Sequence, residues 1–176
     1  MDHEFKPFNK IPRLSREIVV TEKIDGTNAT IYIDDTMENL YTASRTKWIT
    51  PEDDNYGFAR WAQSNKEELL TLGPGYHRGE WWGKKIQRGY GLTDKKFSLF
   101  NTSLSYVPSC CLLVPILYRG PFDLQMVDEC LEALKVHGSQ AAPGFMKPEG
   151  VVVFHTAASN YFKKMIENDG KHKGEK

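Results

Sequence analysis

Eight short runs of this chain read as β-strands and only two as helices, and the two kinds do not alternate regularly. The strand-like runs lie near 17–23, 29–33, 39–44, 76–82, 97–101, 112–118, 150–155 and 160–166. Without a helix after each strand there is no route to a doubly wound parallel sheet. The pattern therefore predicts an α+β fold of antiparallel or mixed sheets with flanking helices. One helix is predicted over "GFARWAQSNKEELLTLG", with Phe58, Trp61, Ala62, Leu69 and Leu72 near one face and a stop at Gly73. The other is predicted over "DLQMVDECLEALKVHG": Asp123 is the N-cap, Leu124, Val127, Leu131 and Leu134 recur at helical spacing, and Gly138 ends it.

The 176 residues are enough to bury one core without disulfides or a structural metal, and neither a repeat nor a low-complexity block divides them. Hydrophobic content of 40% and charged content of 26% exclude the disordered class. No apolar run approaches the roughly 20 residues of a membrane span, and the start of the chain lacks a signal-peptide pattern, so the cytoplasm is the expected compartment. Cys110, Cys111 and Cys130 have neither disulfide-framework nor zinc spacing and read as reduced, structural thiols. The 23 basic and 23 acidic residues cancel, which argues against a protein whose main business is tight nonspecific binding of nucleic acid. A local patch is still open: "GKKIQRGYGLTDKK" at 83–96 carries five Lys or Arg against one Asp, interleaved with Tyr90, while "PEDDNYG" at 51–57 is acidic.

The stretch that asks for a chemical explanation is "TEKIDGTNATIYI" at 21–33. Ile18, Val19 and Val20 lead into it, and Ala29, Ile31 and Ile33 lead out with the alternation of a half-buried strand. Read blandly, Asp25-Gly26 is the turn of a surface hairpin. Two details strain that reading. Thr27 and Asn28 add more small polar groups than a tight hairpin needs, and Glu22-Lys23 falls where the strand should still be covered. The functional reading makes Lys23 a nucleophile.

"EKIDG" and the segments that follow resemble the covalent nucleotidyltransferases, which comprise ATP-dependent RNA ligases, DNA ligases and mRNA capping enzymes, and are most similar to the phage-type RNA ligases. "ASRTK" at 43–47, with Ser44 and Arg45, resembles the family's second signature, and "RGEWWG" at 78–83, with Glu80, resembles the third. "FSLFN" at 97–101 resembles the aromatic strand that follows. "KPEGVVVF" at 147–154, with Glu149 and Gly150, resembles the fourth signature, and "NYFKKM" at 160–165 resembles the fifth. "VPILYRGPFD" at 114–123 is also similar to phage RNA ligases. Six segments in the family's order carry far more weight than any one of them. The fold implied is a nucleotidyltransferase (ATP-grasp-like) adenylation domain.

The resemblance implies attack of the Lys23 amine on the α-phosphorus of ATP, leaving a lysyl-AMP intermediate. AMP then passes to an RNA 5′-phosphate, and a 3′-hydroxyl displaces it. A free lysine has a pKa near ~10.4, so only about one in 2,500 is neutral at pH 7. Nearby cations and partial desolvation are therefore expected beside Lys23, the cations being Lys163, Lys164 and a divalent metal.

The same resemblance implies that Lys163 and Lys164 contact the α-phosphate. The family often separates its two lysines by one residue, which keeps both on one face of a strand. Here they are adjacent and Met165 follows, so one should point away, and Lys163 is the expected catalytic one. Glu149 would hold Mg²⁺ or Mn²⁺ through water. Glu80 would accept from the ribose, Arg45 would brace ribose or phosphate, Phe100 would stack on adenine, and Glu22 would accept from the adenine amino group. Asp25, Gly26 and Asn28 complete the expected ATP-binding set. Lys84, Lys85 and Arg88 are the expected nucleic-acid contacts.

The partner implied is RNA with 5′-phosphate and 3′-hydroxyl ends, in an RNA-repair role. A phage gene acting in the host cytoplasm fits the same resemblance. Many relatives carry a further C-terminal domain, whereas here about a dozen residues follow the lysine pair. The expectation is a catalytic domain over 1–167, a flexible tail over 168–176, no C-terminal OB-fold or helical domain, and a partner protein replacing the absent grip. A DNA nick ligase, a cap-forming guanylyltransferase and a nucleotide- or RNA-binding module without catalysis are the alternatives.

Overall fold

The computed structural model describes residues 4–170. In chain order the elements are β1 (Glu17–Lys23), β2 (Thr27–Ile33), β3 (Leu40–Ala43), β4 (Trp48–Ile49), α1 (Phe58–Ser64), α2 (Lys66–Leu70), β5 (Gly75–Gly83) and β6 (Lys95–Leu99). They continue with β7 (Cys111–Leu113), β8 (Ile116–Pro121), α3 (Leu124–His137), β9 (Gly150–His155) and β10 (Asn160–Met165). The strands form two sheets, ordered β10-β9-β1-β8 and β4-β3-β2-β5-β6-β7. Every pairing is antiparallel except that of β6 with β7. The α+β expectation, with antiparallel and mixed sheets, is met.

Each sheet buries one face under helix. Ile18 and Val20 of β1, with Val151 and Val153 of β9, pack against Val127, Leu131 and Leu134 of α3. Ala29, Ile31 and Ile33 of β2, with Phe97 and Leu99 of β6, pack against Phe58, Ala62 and Leu69. Period two on the strands and near-four on the helices bring these side chains to common faces. A third cluster, Ile24, Trp82, Tyr90, Val114 and Ala142, lies between strands of the two sheets.

α3 begins and ends where its sequence indicates. The Asp123 side chain accepts from the Gln125 N–H at 2.9 Å, and Gly138 has φ 81° at the other end. The helix expected over 57–73 is instead two short ones. Asn65 separates them, its side-chain amide donating to the Trp61 carbonyl at 2.7 Å. The single strand expected over 112–118 is likewise two, β7 in the larger sheet and β8 in the smaller, with Val114-Pro115 as the crossing. Two-residue β4 was not foreseen.

The most consequential difference from a bland reading lies at 24–26. β1 and β2 do not pair with each other and belong to different sheets, so "KIDGT" is no hairpin. It carries the chain from one sheet to the other, and Lys23 is the last residue before the crossing. All three cysteines are free thiols. Among the described residues no helix is long and apolar enough to cross a membrane. Of the tail expected over 168–176, residues 171–176 lie outside the described residues, while Asp169 accepts from the Met165 N–H at 2.7 Å.

Candidate active site

Lys23 stands opposite Gly150 across the β1–β9 ladder, so the residue before β9 falls beside its side chain. That residue is Glu149, 5% exposed, and its Oε2 accepts from the Lys23 Nζ at 2.6 Å. The two turns that carry these residues are tied together. Arg88 donates from Nε to Asp25 at 3.0 Å and from Nη1 to the Lys147 carbonyl at 2.9 Å. The Asp25 N–H donates to the Tyr90 hydroxyl at 2.7 Å. Burial raises the Tyr90 pKa above its ordinary value, and its neutral hydroxyl oxygen accepts this bond.

Glu80 approaches the crossing from β5. Its Oε1 accepts from the Gly26 N–H and its Oε2 from the Asn28 side-chain amide, both at 3.0 Å. Burial pushes its pKa up to about 7, against the opposing pull of Lys23 and the two hydrogen bonds, and the nearby Glu149 charge adds to the rise. A carboxyl whose folded pKa is raised stabilises the fold below its unfolded pKa and loses that contribution as pH rises through the folded one. Warming the protein at pH 5 and pH 8 should therefore show a larger fall in Tm for the parent than for Glu80→Gln. The differential is about 2–3 kcal/mol, and equal falls would contradict the assignment.

Glu22 is 1% exposed on the opposite face of β1 from Lys23. Its Oε2 accepts from the Gln140 and Ala141 N–H groups at 2.8 and 2.9 Å. Its Oε1 is buried without a hydrogen-bond partner among the described residues. Phe100 is half-buried against the third cluster, just past the end of β6. Arg45 is exposed in the turn between β3 and β4.

The lysine pair divides as the pleat requires. Lys163 stands opposite Val152, which stands opposite Thr21, so Lys163 shares a sheet face with Thr21 and Lys23. Lys164 stands opposite Val151 on the helix-facing side, where it pairs with Asp128 of α3. That corrects the expectation of a second lysine at the phosphate: Lys164 faces away, and Met165 takes the next position on the Lys23 side. The charge beside the Lys23 amine is likewise an anion, Glu149, rather than a lysine.

One further expectation changes. Arg88, expected to contact nucleic acid, is engaged in bracing the two turns. Tyr90, 3% exposed, packs edge-on against Trp82. Lys84 and Lys85 are exposed. The bracing roles of Arg88 and Tyr90 and the 140–141 amides were missed. Only "RGYG" hinted at the first two, through its small residues around a long cation and a phenol.

The site thus gathers an amine, a buried carboxylate against it, and a second buried carboxyl, at a crossing between two sheets. The RNA ligase family's model matches residues 16–166, and the chain belongs to that family. Among solved structures it is similar to mutants of the Naegleria gruberi RNA ligase. One, without ligand, is 22% identical with TM-score 0.62, covering 86% of this chain and 50% of that one. A second, with ATP and Mn, is 22% identical with TM-score 0.62 over 88% and 51%. A third, with AMP and Mn, is 20% identical with TM-score 0.61 over 86% and 50%. The chain spans about half the length of the solved structures it matches. Among curated proteins it has no match.

Proposed function

We propose that this chain is the adenylylating part of an ATP-dependent RNA ligase, with Lys23 as the nucleophile. The observation that carries the reading is the Lys23–Glu149 pair at the crossing between the sheets, in a chain of the RNA ligase family. In the first step the neutral Lys23 amine attacks the α-phosphorus of ATP. An N–P bond forms, the bond to pyrophosphate breaks, and the amine's proton passes to solvent. In the second, an RNA 5′-phosphate oxygen attacks the same phosphorus and Lys23 leaves, regaining a proton. In the third, a 3′-hydroxyl attacks the activated 5′-phosphorus and AMP departs.

Glu149 holds the amine at the attacking position until ATP arrives, and positioning of this kind is a large part of what an enzyme supplies in phosphoryl transfer. A divalent ion fits beside it. No group of three His, Cys, Asp or Glu among the described residues could hold a metal unaided. One buried carboxylate, with water and substrate phosphates, is the donor set that Mg²⁺ commonly accepts. When bound there, the ion supplies positive charge at the phosphates. Lys163, on the same face as Lys23, supplies more.

Glu80 accepts from the ribose, with Asn28 and the Gly26 amide fixing its orientation. Phe100 stacks on the base and Arg45 braces the sugar or phosphate. The unpartnered Oε1 of Glu22 favours ATP over GTP. A buried acceptor left alone costs about 1–3 kcal/mol, and the amino group of adenine is a donor where guanine presents a carbonyl.

The test is a joining assay with ATP and Mg²⁺ on nicked RNA bearing 5′-phosphate and 3′-hydroxyl ends, beside the same nick in DNA. Sealed RNA is the expected product. Sealing confined to DNA would make the chain a DNA ligase instead, and binding without joining or adenylylation would make it a binding module.

A further inference from the structure

The sheet face that carries Glu80 and Asn28 continues well beyond them. Alternate residues of a strand share a face, so Asn28, Thr30 and Tyr32 of β2 stand opposite Glu80, Arg78 and Tyr76 of β5. Tyr41 of β3 stands opposite Tyr32 on its other side. Trp48 of edge strand β4 completes the row, its ring centroid 6.3 Å from Tyr41 and 6.2 Å from Tyr32. Tyr32 and Tyr76 lie 4.6 Å apart, and the Arg78 guanidinium sits 5.5 Å from the Tyr76 centroid. From Glu80 to Tyr76 along β5 is about 13 Å.

None of the four rings belongs to a buried cluster, although the other face of the same strands is core. Tyr41, Trp48 and Tyr76 are 49%, 54% and 58% exposed. Cross-strand aromatic pairs do steady a sheet, but they do not need half of each ring left in water. The row contains no Leu, Ile, Val or Met. It offers flat rings with an exposed Arg78 beside them and an exposed Arg45 in the adjoining turn. Aromatic rings stack on any base, and guanidinium groups meet phosphates. Bases in a duplex are already stacked on one another, so the matching ligand is single-stranded. Asp34, Asp35 and Glu38 in the β2–β3 turn end the surface beyond Tyr32 and Tyr41. Lys84 and Lys85 lie past the other end of β5, so the two surfaces flank Glu80.

We propose that Tyr32, Tyr41, Trp48, Tyr76 and Arg78 form a stacking platform for a single-stranded RNA segment next to the adenylylation site. The choice of RNA rests on the ligase reading above. The strand lies on the rings with its terminus directed along β5 toward Glu80.

The test compares the parent with Trp48→Ala/Tyr76→Ala and with Trp48→Phe/Tyr76→Phe. The probe is a fluorescein-labelled single-stranded RNA of about a dozen nucleotides, followed by anisotropy. The alanine pair should bind about tenfold or more weakly and join pre-adenylylated RNA more slowly, with lysyl-AMP formation unchanged and Tm lowered by only a few degrees for the lost cross-strand ring pairs; the phenylalanine pair should recover most of the affinity. Equal RNA affinity in parent and alanine pair overturns the proposal. So does a dimeric parent that becomes monomeric in the alanine pair without losing RNA affinity, which would make the row a contact between copies. A parent that forms no lysyl-AMP, yet binds RNA through these rings, would remove the ligase reading and support the platform.

Discussion

Glu149→Ala should lower formation of the lysyl adduct by about 10²–10³-fold, the usual cost of removing one preorganised electrostatic group from a reacting centre. The carboxylate is 5% exposed and touches the amine at 2.6 Å, so alanine removes both the group that positions Lys23 and the one acid offered to a divalent ion. Glu149→Gln separates these roles. The amide keeps the shape and can accept from Lys23, but it carries no charge. The fold should survive, with Tm within a few degrees of the parent, while adenylylation stays close to the alanine level. A glutamine variant as fast as the parent would confine Glu149 to positioning and remove it as a metal ligand.

Gly26→Ala should damage stability and adenylylation together. Its φ lies outside the left-handed region, so the requirement is for space rather than for glycine's conformational freedom. A Cβ there would stand 2.4 Å from the Trp81 carbonyl oxygen and 2.7 Å from the Trp82 Cβ. Both neighbours are anchored: β5 is interior to its sheet and Trp82 is fully buried. The crossing must then move away from β5, taking Lys23 and the Gly26–Glu80 hydrogen bond with it. Overpacking of this kind costs about 1–3 kcal/mol, or roughly 2–10 °C in Tm for a chain of this size. A displacement near 1 Å at the amine would cost about 10²-fold in adenylylation. Thermal melting and a single-turnover adenylylation rate measure the two effects, and a variant unchanged in both would show that the crossing has slack.

Much of this was readable beforehand, because it depends on local periodicity. Alternation located the longer strands of both sheets, Asp123 and Gly138 bounded α3, and the parity of adjacent lysines put Lys163 and Lys164 on opposite faces. The failures are of two kinds. Local signals were outvoted: Asn65 divides a continuous apolar stripe, and Pro115 divides an apolar run that looks like one strand. Others were never local. Whether "KIDGT" turns back or crosses between sheets depends on which strands β1 and β2 find. The bonds from Arg88 to Asp25 and from the 140–141 amides to Glu22 join residues 63 and more than 115 positions apart. The aromatic row escaped notice for the same reason, since its members are scattered over four strands and meet only through register.

The most direct measurement is the intact mass of the protein after incubation with ATP and Mg²⁺, beside Lys23→Ala, with purified parent checked for adenylate already attached. The account predicts a gain of one adenylate on the parent, mapped to Lys23, and none on the variant. An adduct that persists in Lys23→Ala, or a parent that never gains one, would contradict it.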